Sequence, residues 1–351
     1  MTQERLAVQA LAGTATSGLA LGSNASSAEI ESIAGITTAP DGTAYVCDPL
    51  GNQIRAIPPS GPTFVAAGAG DGSAGFIGDN LTANAVRLDT PIGLVRDNLS
   101  GALIFCDSGN DRIRYFTVGG RIYTLAGGGL DSSDEVPHAL HAALQQPFGL
   151  ATDSMGNLYF TERGSGRVRL LSSADHLTTL ATFATGTVGP LAVSADGSHL
   201  WVGVGDSVQM IASPSATPAQ VFQAPGDVIT GLAYDQVNSL YAEQTSATPF
   251  GASASVLTGL TLGADGKVLT GTTPEVLAGT GAGSANPLDY AVSTQPVADA
   301  RTQLLAGGGY CSLYIDLYNA AAPSIQSGTL YMGNTLATSP GWAQLLTLVH
   351  S

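Results

Sequence analysis

Residues 35–68 read GITTAPDGTAYVCDPLGNQIRAIPPSGPTFVAAG, and the same grammar returns twice more almost in register. Each copy has an apolar run ending in a turn, an alternating run closed by an acid, an Ile-Arg or Val-Arg run, and an apolar run ending Ala-Gly. The closing acids, Asp48, Asp107 and Glu162, stand 59 and 55 residues apart, and the arginines Arg55, Arg114 and Arg169 keep the same two steps. Two features in phase mark a true repeat. Each run is strand length, and a unit of four short strands cannot bury both faces of its own sheet. It must pack against copies of itself around a ring, which is the logic of a β-propeller blade. A chain of 351 residues divided by this period gives about six blades.

Composition agrees with many short strands joined by tight turns. Hydrophobic residues make up 44% of the chain, with 45 Gly and 18 Pro, and no run approaches the roughly 20 apolar residues of a membrane-spanning helix. Net charge is -15, and the 12 basic residues include a single lysine, Lys267. Nucleic acid and anionic lipid are therefore poor partners; cationic ligands, basic protein patches or divalent ions suit such a surface better. The first residues, MTQERLAVQ, lack the basic-then-apolar layout of a secretory signal. Three cysteines are too few and odd in number for a disulfide framework. Cys47 and Cys106 share one repeat position, where the third copy has Thr161, so that position asks for a small core side chain.

The expected fold is a single all-β domain over residues 1–351, a six-bladed β-propeller of four-stranded antiparallel blades. The blades are expected near 33–68, 92–127, 148–183, 190–224, 229–279 and 310–348. Residues 6–13, LAVQALAG, look like a fourth strand without its first three, and the chain ends on a third strand without a fourth. The N-terminal strand is therefore expected to join the last blade, closing the ring without an unpaired edge. An insertion at 264–273 has no place in this scheme. Long connections at 14–32, 71–91, 128–147 and 280–309 would all leave an outer strand for the next inner strand, and so emerge on one face.

The unit GLATDSMGNLYFTERGSGRVRLL (149–171), with its preceding LAGGG, resembles the NHL-repeat β-propellers, and SAGFIGDN (73–80) is similar to the Gly-Phe-Ser-Gly-Asp-Gly connection of bacterial and extracellular members. The resemblance is specific over residues 8–175. It implies a choice of activities, and the chain is expected to work outside the cytoplasm, in an extracellular or periplasmic setting. Members include protein-interaction modules and sensor domains, while related six-bladed propellers include amidating lyases, lactonases and strictosidine-synthase-like enzymes.

Candidate chemistry is sparse. The repeated acid and arginine could form a working site, but in the later blades the same positions hold Val204 with Gln209 and Asn334 with Gln344, so the charges leave together, as a mutually satisfying structural pair should. In 130–147, LDSSDEVPHALHAALQQP, the residues Asp131, Asp134, Glu135, His138 and His141 crowd one connection and are candidate ligands for zinc or calcium. The same stretch reads as a capped surface helix, with Asp134 and Glu135 at its start and Leu140 and Leu144 packing inward. No serine sits in a nucleophile elbow, and the Gly-rich stretches 68–75 and 279–286 lack the Lys-Ser/Thr ending of a phosphate loop. No catalytic residue stands out.

The function expected from sequence is accordingly a non-catalytic binding or scaffold module that presents a loop-rich, acidic face to a protein or glycan, with Phe76, Asp79, Tyr290 and Tyr310 as contacts. Asn24, Asn80 and Asn98 head glycosylation triplets. The alternatives are a divalent-metal-dependent hydrolase or lyase of the lactonase or amidating-lyase kind, with its site at the mouth of the central channel, and a structural subunit of an extracellular assembly.

Overall fold

The computed structural model describes residues 6–12, 19–24, 27–97, 100–212, 217–246, 253–269, 274–278, 305–306, 313–316, 329–336 and 342–350. Blade one consists of Gly35–Thr38, Ala44–Asp48, Gln53–Ile57 and Phe64–Ala67, hydrogen-bonded in that order. Blade two is Pro91–Arg96, Leu103–Asp107, Arg112–Phe116 and Arg121–Gly127; blade three is Pro147–Thr152, Leu158–Glu162, Arg167–Leu171 and Leu177–Thr182. Blade four is Val188–Val193, Leu200–Val204, Ser207–Ile211 and Ala219–Gln223, and blade five is Asp227–Tyr234, Ser239–Ser246, Ser253–Thr261 and Glu275–Ala278. All neighbours within a blade are antiparallel. The chain is an all-β propeller of four-stranded blades.

Five blades follow in sequence order where six were expected, because the span assigned to the sixth is described only in part. Its described strands, Leu313–Asp316, Thr329–Leu336 and Trp342–His350, form a further sheet. Leu6–Ala12 pairs antiparallel with Trp342–His350 in that sheet, with Ala10 opposite Leu346.

The core lies between blades rather than within them. Tyr45, Cys47 and Ile54 of blade one pack with Phe105 and Phe116 of blade two, and the Phe105 and Phe116 rings meet edge to face at 6.1 Å. Cys106 and Ile113 pack on Phe160 of blade three; Tyr159 and Val168 pack on Leu191 and Val202 of blade four; Trp201 and Val208 pack on Leu232 and Ala242 of blade five. A sheet that exposes two apolar faces can only be satisfied this way, so burying each such side chain, at about 1.5–3 kcal/mol, also welds neighbouring blades.

At the axis the inner strands approach backbone to backbone, and this is where the repeated glycine of the Gly-Leu run is required. Gly93 has φ +53°, and a Cβ there would collide with the Phe148 carbonyl of the next blade. A Cβ on Gly149 would lie 2.7 Å from the Gly189 carbonyl oxygen.

Two long connections contribute an extra strand. Leu81–Thr82 pairs with Arg121 and Ile122 on the outer edge of blade two, and Glu135–Val136 pairs with Leu177 and Thr178 on the outer edge of blade three. This corrects the expectation of a surface helix. An open strand edge takes up residues 135–136, Ala139–His141 form only a single 3-10 turn, and Leu140, expected inside, is 52% exposed while Leu144 is buried. The insertion near 264 also finds its place. Leu262 and Val268 bridge across a turn whose Gly266 carbonyl accepts a 2.9 Å hydrogen bond from the buried Trp201 indole of blade four.

Candidate functional site

Antiparallel order places each long connection on the same face as the turn between the second and third strands, and side chains of those turns hold the connections there. Asn52 donates to the Gly72 carbonyl and accepts from the Thr90 amide; Asn110 donates to the Gly75 carbonyl; Asp111 accepts from the Gln146 amide.

Beneath this layer lie the repeated acid and arginine. Arg55 and Asp48 approach to 3.6 Å, Arg114 and Asp107 to 3.3 Å, and Arg169 and Glu162 to 3.1 Å, with all six side chains essentially inaccessible. The structural reading of the pair is borne out, and its task becomes visible. Each acid accepts an amide from the end of the connection that precedes its own blade: Glu31 to Asp48, Asp89 to Asp107, and Gln145 to Glu162. Each arginine donates to a carbonyl near the start of that connection, Leu19, Gly78 or Ser133, always 36 residues upstream. One buried ion pair therefore clamps both ends of one loop. Burial dominates the electrostatics: it pushes the carboxyls of Asp48 and Glu162 above their ordinary range, and that of Asp107 up to about 6, against the opposing pull of the arginines and amides. Burial likewise lowers Arg55 and Arg169.

The residues singled out from sequence fall into the same bracing. Phe76 lies with Arg112 4.0 Å and Arg114 5.0 Å from its ring centre, and Asp79 accepts from Arg114 and from the Thr124 hydroxyl, each at 3.0 Å. Both pin their own loop. The five candidate metal ligands of the 128–147 connection do not converge as one set. Asp131 accepts from the Ser133 amide and hydroxyl, Asp134 pairs with Arg167 at 3.5 Å, and Glu135 with His176 at 3.3 Å. His138 bonds Asp175 at 3.3 Å, and its ring meets that of His141 with centroids 5.5 Å apart. Among the described residues no group of three or more His, Cys, Asp or Glu could hold a metal ion. Asn80 is exposed, with its amide oxygen accepting from the Tyr123 hydroxyl, and Asn24 accepts from the Ser27 amide. Tyr290, Tyr310 and Asn98 lie outside the described residues.

A ring of positions escaped the sequence reading. Two residues before the inner-strand position that faces the last residue of the second-strand run, blades two to five carry Asp89, Gln145, Gly186 and Asp227, and in blade one Glu31 bonds the closing acid through its amide as Asp89 and Gln145 do. Three are carboxylates, at the start of the innermost strand of their blades on the braced face. Burial raises the pKa of both Glu31, with Asp48 adding to the effect, and Asp227. At the start of blade three, Arg163 lies 4.3 Å from the centre of the Phe148 ring. The spacing between these carboxylates varies with connection length, so only strand register could align them.

No family model and no curated protein matches the chain, so the NHL resemblance stands on its residues alone. Solved structures with the same fold are found at low identity. Virginiamycin B lyase from Staphylococcus aureus is 12% identical with a TM-score of 0.52, covering 99% of this chain and 100% of that one. A gluconolactonase from Xanthomonas campestris is 14% identical with a TM-score of 0.58, covering 100% and 91%. An auxiliary nutrient binding protein from Bacteroides thetaiotaomicron is 12% identical with a TM-score of 0.61, covering 99% and 77%.

Proposed function

We propose that the chain is a propeller enzyme of the lyase or lactonase kind that opens an ester or lactone bond at the channel mouth of the braced face. The observation that carries this reading is the placement of Glu31 and Asp227 at the start of the inner strands of two blades on the braced face, where partial burial also raises the proton affinity of each. A carboxyl tuned upward by its surroundings is suited to give a proton to a departing oxygen or to take one from an attacking group. The clamped connections hold the rim rigid, as a site that must keep its geometry requires. The likeness to a lyase and a gluconolactonase over nearly the whole chain is compatible with it. The described side chains do not fit a divalent ion at the mouth, and no step of this reading runs through one. The sheet joining the two chain ends serves here as a sixth blade that closes the ring, and the fold as a divergent NHL-type propeller.

The test is turnover of a panel of simple lactones and esters, by wild type and by Glu31→Gln and Asp227→Asn. The expected result is product formation that falls at least tenfold in one or both variants with unchanged melting temperature. Unaltered turnover in both would move the chemistry elsewhere. Absence of turnover would leave the second reading, recognition of a protein or glycan. That reading is favoured by Phe76, Ile77 and Leu130, which stand 39%, 50% and 95% exposed on the clamped loops, and by the likeness to a nutrient binding protein.

A further inference from the structure

The outer flank of blade three carries two imidazoles arranged as a pair. His138 and His141 bracket the 3-10 turn Ala139–His141, both exposed, with ring centroids 5.5 Å apart and planes at 78°. Nδ1 of His138 faces Oδ2 of Asp175 at 3.3 Å, and the other carboxylate oxygen of Asp175 accepts the Ala139 amide at 3.1 Å. Asp175 itself has φ +65° in the turn between the third and fourth strands. One carboxylate thus fixes both the backbone of the turn and one ring nitrogen of His138, which directs Nε2 as the nitrogen left for another partner.

We propose that His138 and His141 form a surface site for one borderline divalent transition ion, Zn²⁺ or Cu²⁺, with water completing the coordination. A zinc–nitrogen bond of about 2.0–2.1 Å puts an imidazole centroid about 3.2 Å from the metal, so two rings at a tetrahedral angle have centroids about 5 Å apart. The observed separation is close to that before any adjustment. The Asp175 contact supplies the outer carboxylate that metal-binding histidines characteristically use to fix tautomer and raise basicity. The neighbouring acids do not belong to the set. Asp131, Asp134 and Glu135 are held by Ser133, Arg167 and His176, so the ligands are imidazole rather than oxygen and the site discriminates against calcium and magnesium. It lies on a blade flank and is independent of the channel mouth.

The experiment is titration of the untagged protein with Zn²⁺, Cu²⁺ and Ca²⁺, read by calorimetry and, for copper, by its visible d–d absorption. The expected result is one zinc or copper ion bound per chain at pH 7.5, with calcium giving no saturable heat. Both His138→Asn and His141→Asn should abolish that stoichiometric binding. Asp175→Asn should weaken it roughly tenfold or more, while His176→Asn leaves it unchanged. The single substitutions are at exposed positions, and circular dichroism reports whether the fold is kept. Stoichiometric binding that survives the two histidine substitutions, or wild type that takes up no ion, would overturn the assignment.

Discussion

Blades one to three and blades four and five share one topology and differ in how their loop face is held. In the first group the connections at 14–32, 71–91 and 128–147 are long, and each is gripped by a buried carboxylate and guanidinium of the following blade. In the second, blade four is entered after a short link at 183–187 and blade five after one at 224–226. There the same positions are uncharged: Val204 with Gln209, and Gln244 donating at 2.8 Å to Thr258. The charge pair therefore follows the loop, not the sheet. A four-stranded blade stands without it; a long connection with backbone amides turned inward does not, because buried polar groups left unpaired are costly. Blades four and five draw instead on the opposite face, where the Trp201 indole, 4.6 Å from the Tyr234 ring, bonds the turn reaching over from blade five.

The comparison can be broken most forcefully at Arg114. Arg114→Met strands Asp107 in the core without its cation and should cost about 3–5 kcal/mol of unfolding free energy by denaturant titration. A loss below 1 kcal/mol would mean that the pair is ornamental. Next in size is the pH response of Asp107. Its folded pKa is raised to about 6, above the ordinary unfolded value, so its contribution is fully present below about pH 4 and is lost as pH rises through about 6. Wild type should accordingly lose up to about 3 kcal/mol from this group between pH 4 and pH 7. Asp107→Asn should flatten that part of the stability profile, and an unchanged slope would contradict the assignment.

A smaller effect is expected from giving blade three the blade-four solution. Glu162→Val with Arg169→Gln removes both charges, so no lone ion is buried, but the Gln145 amide and Ser133 carbonyl lose their partners. The cost should be about 1–3 kcal/mol, with faster amide exchange confined to residues 130–146. Exchange rising equally in blade four would dissolve the distinction between the two groups. The mildest prediction concerns blade one. Asp79 and Asp134 lie 35 residues before Arg114 and Arg169, and the corresponding residue of blade one is Ala20. Buried Nη2 of Arg55 has no hydrogen-bond partner among the described residues. Ala20→Asp should supply one and raise the melting temperature by a few degrees, about 1 kcal/mol or less; a fall would show that the position is not equivalent.

Much of the frame was written in the sequence because a repeat reports on itself. The in-phase Asp48, Asp107 and Glu162, with Arg55, Arg114 and Arg169, announced the blade and even its ion pair, since the loss of both charges together in blade four is a pattern one chain can show. The Gly-Leu runs were legible as inner strands for the same reason. What the pair holds was not, because its partners Leu19, Gly78 and Ser133 contribute carbonyls, and a carbonyl leaves no mark on residue identity. Residues 134–144 misled for a local reason: their acids, histidines and leucines satisfy helix periodicity, while the open edge of blade three, distant in sequence, decided that residues 135–136 extend as a strand.

Sequence alone determined the unit, its phase and its chemistry of burial, because each blade must hide two apolar faces against a copy of itself. Only the tertiary structure determined what the charged positions are for. Alignment of Glu31, Asp89 and Asp227 on one rim, and of His138 with His141 against Asp175, depends on strand register and loop path, quantities fixed by contacts between residues that no spacing relates.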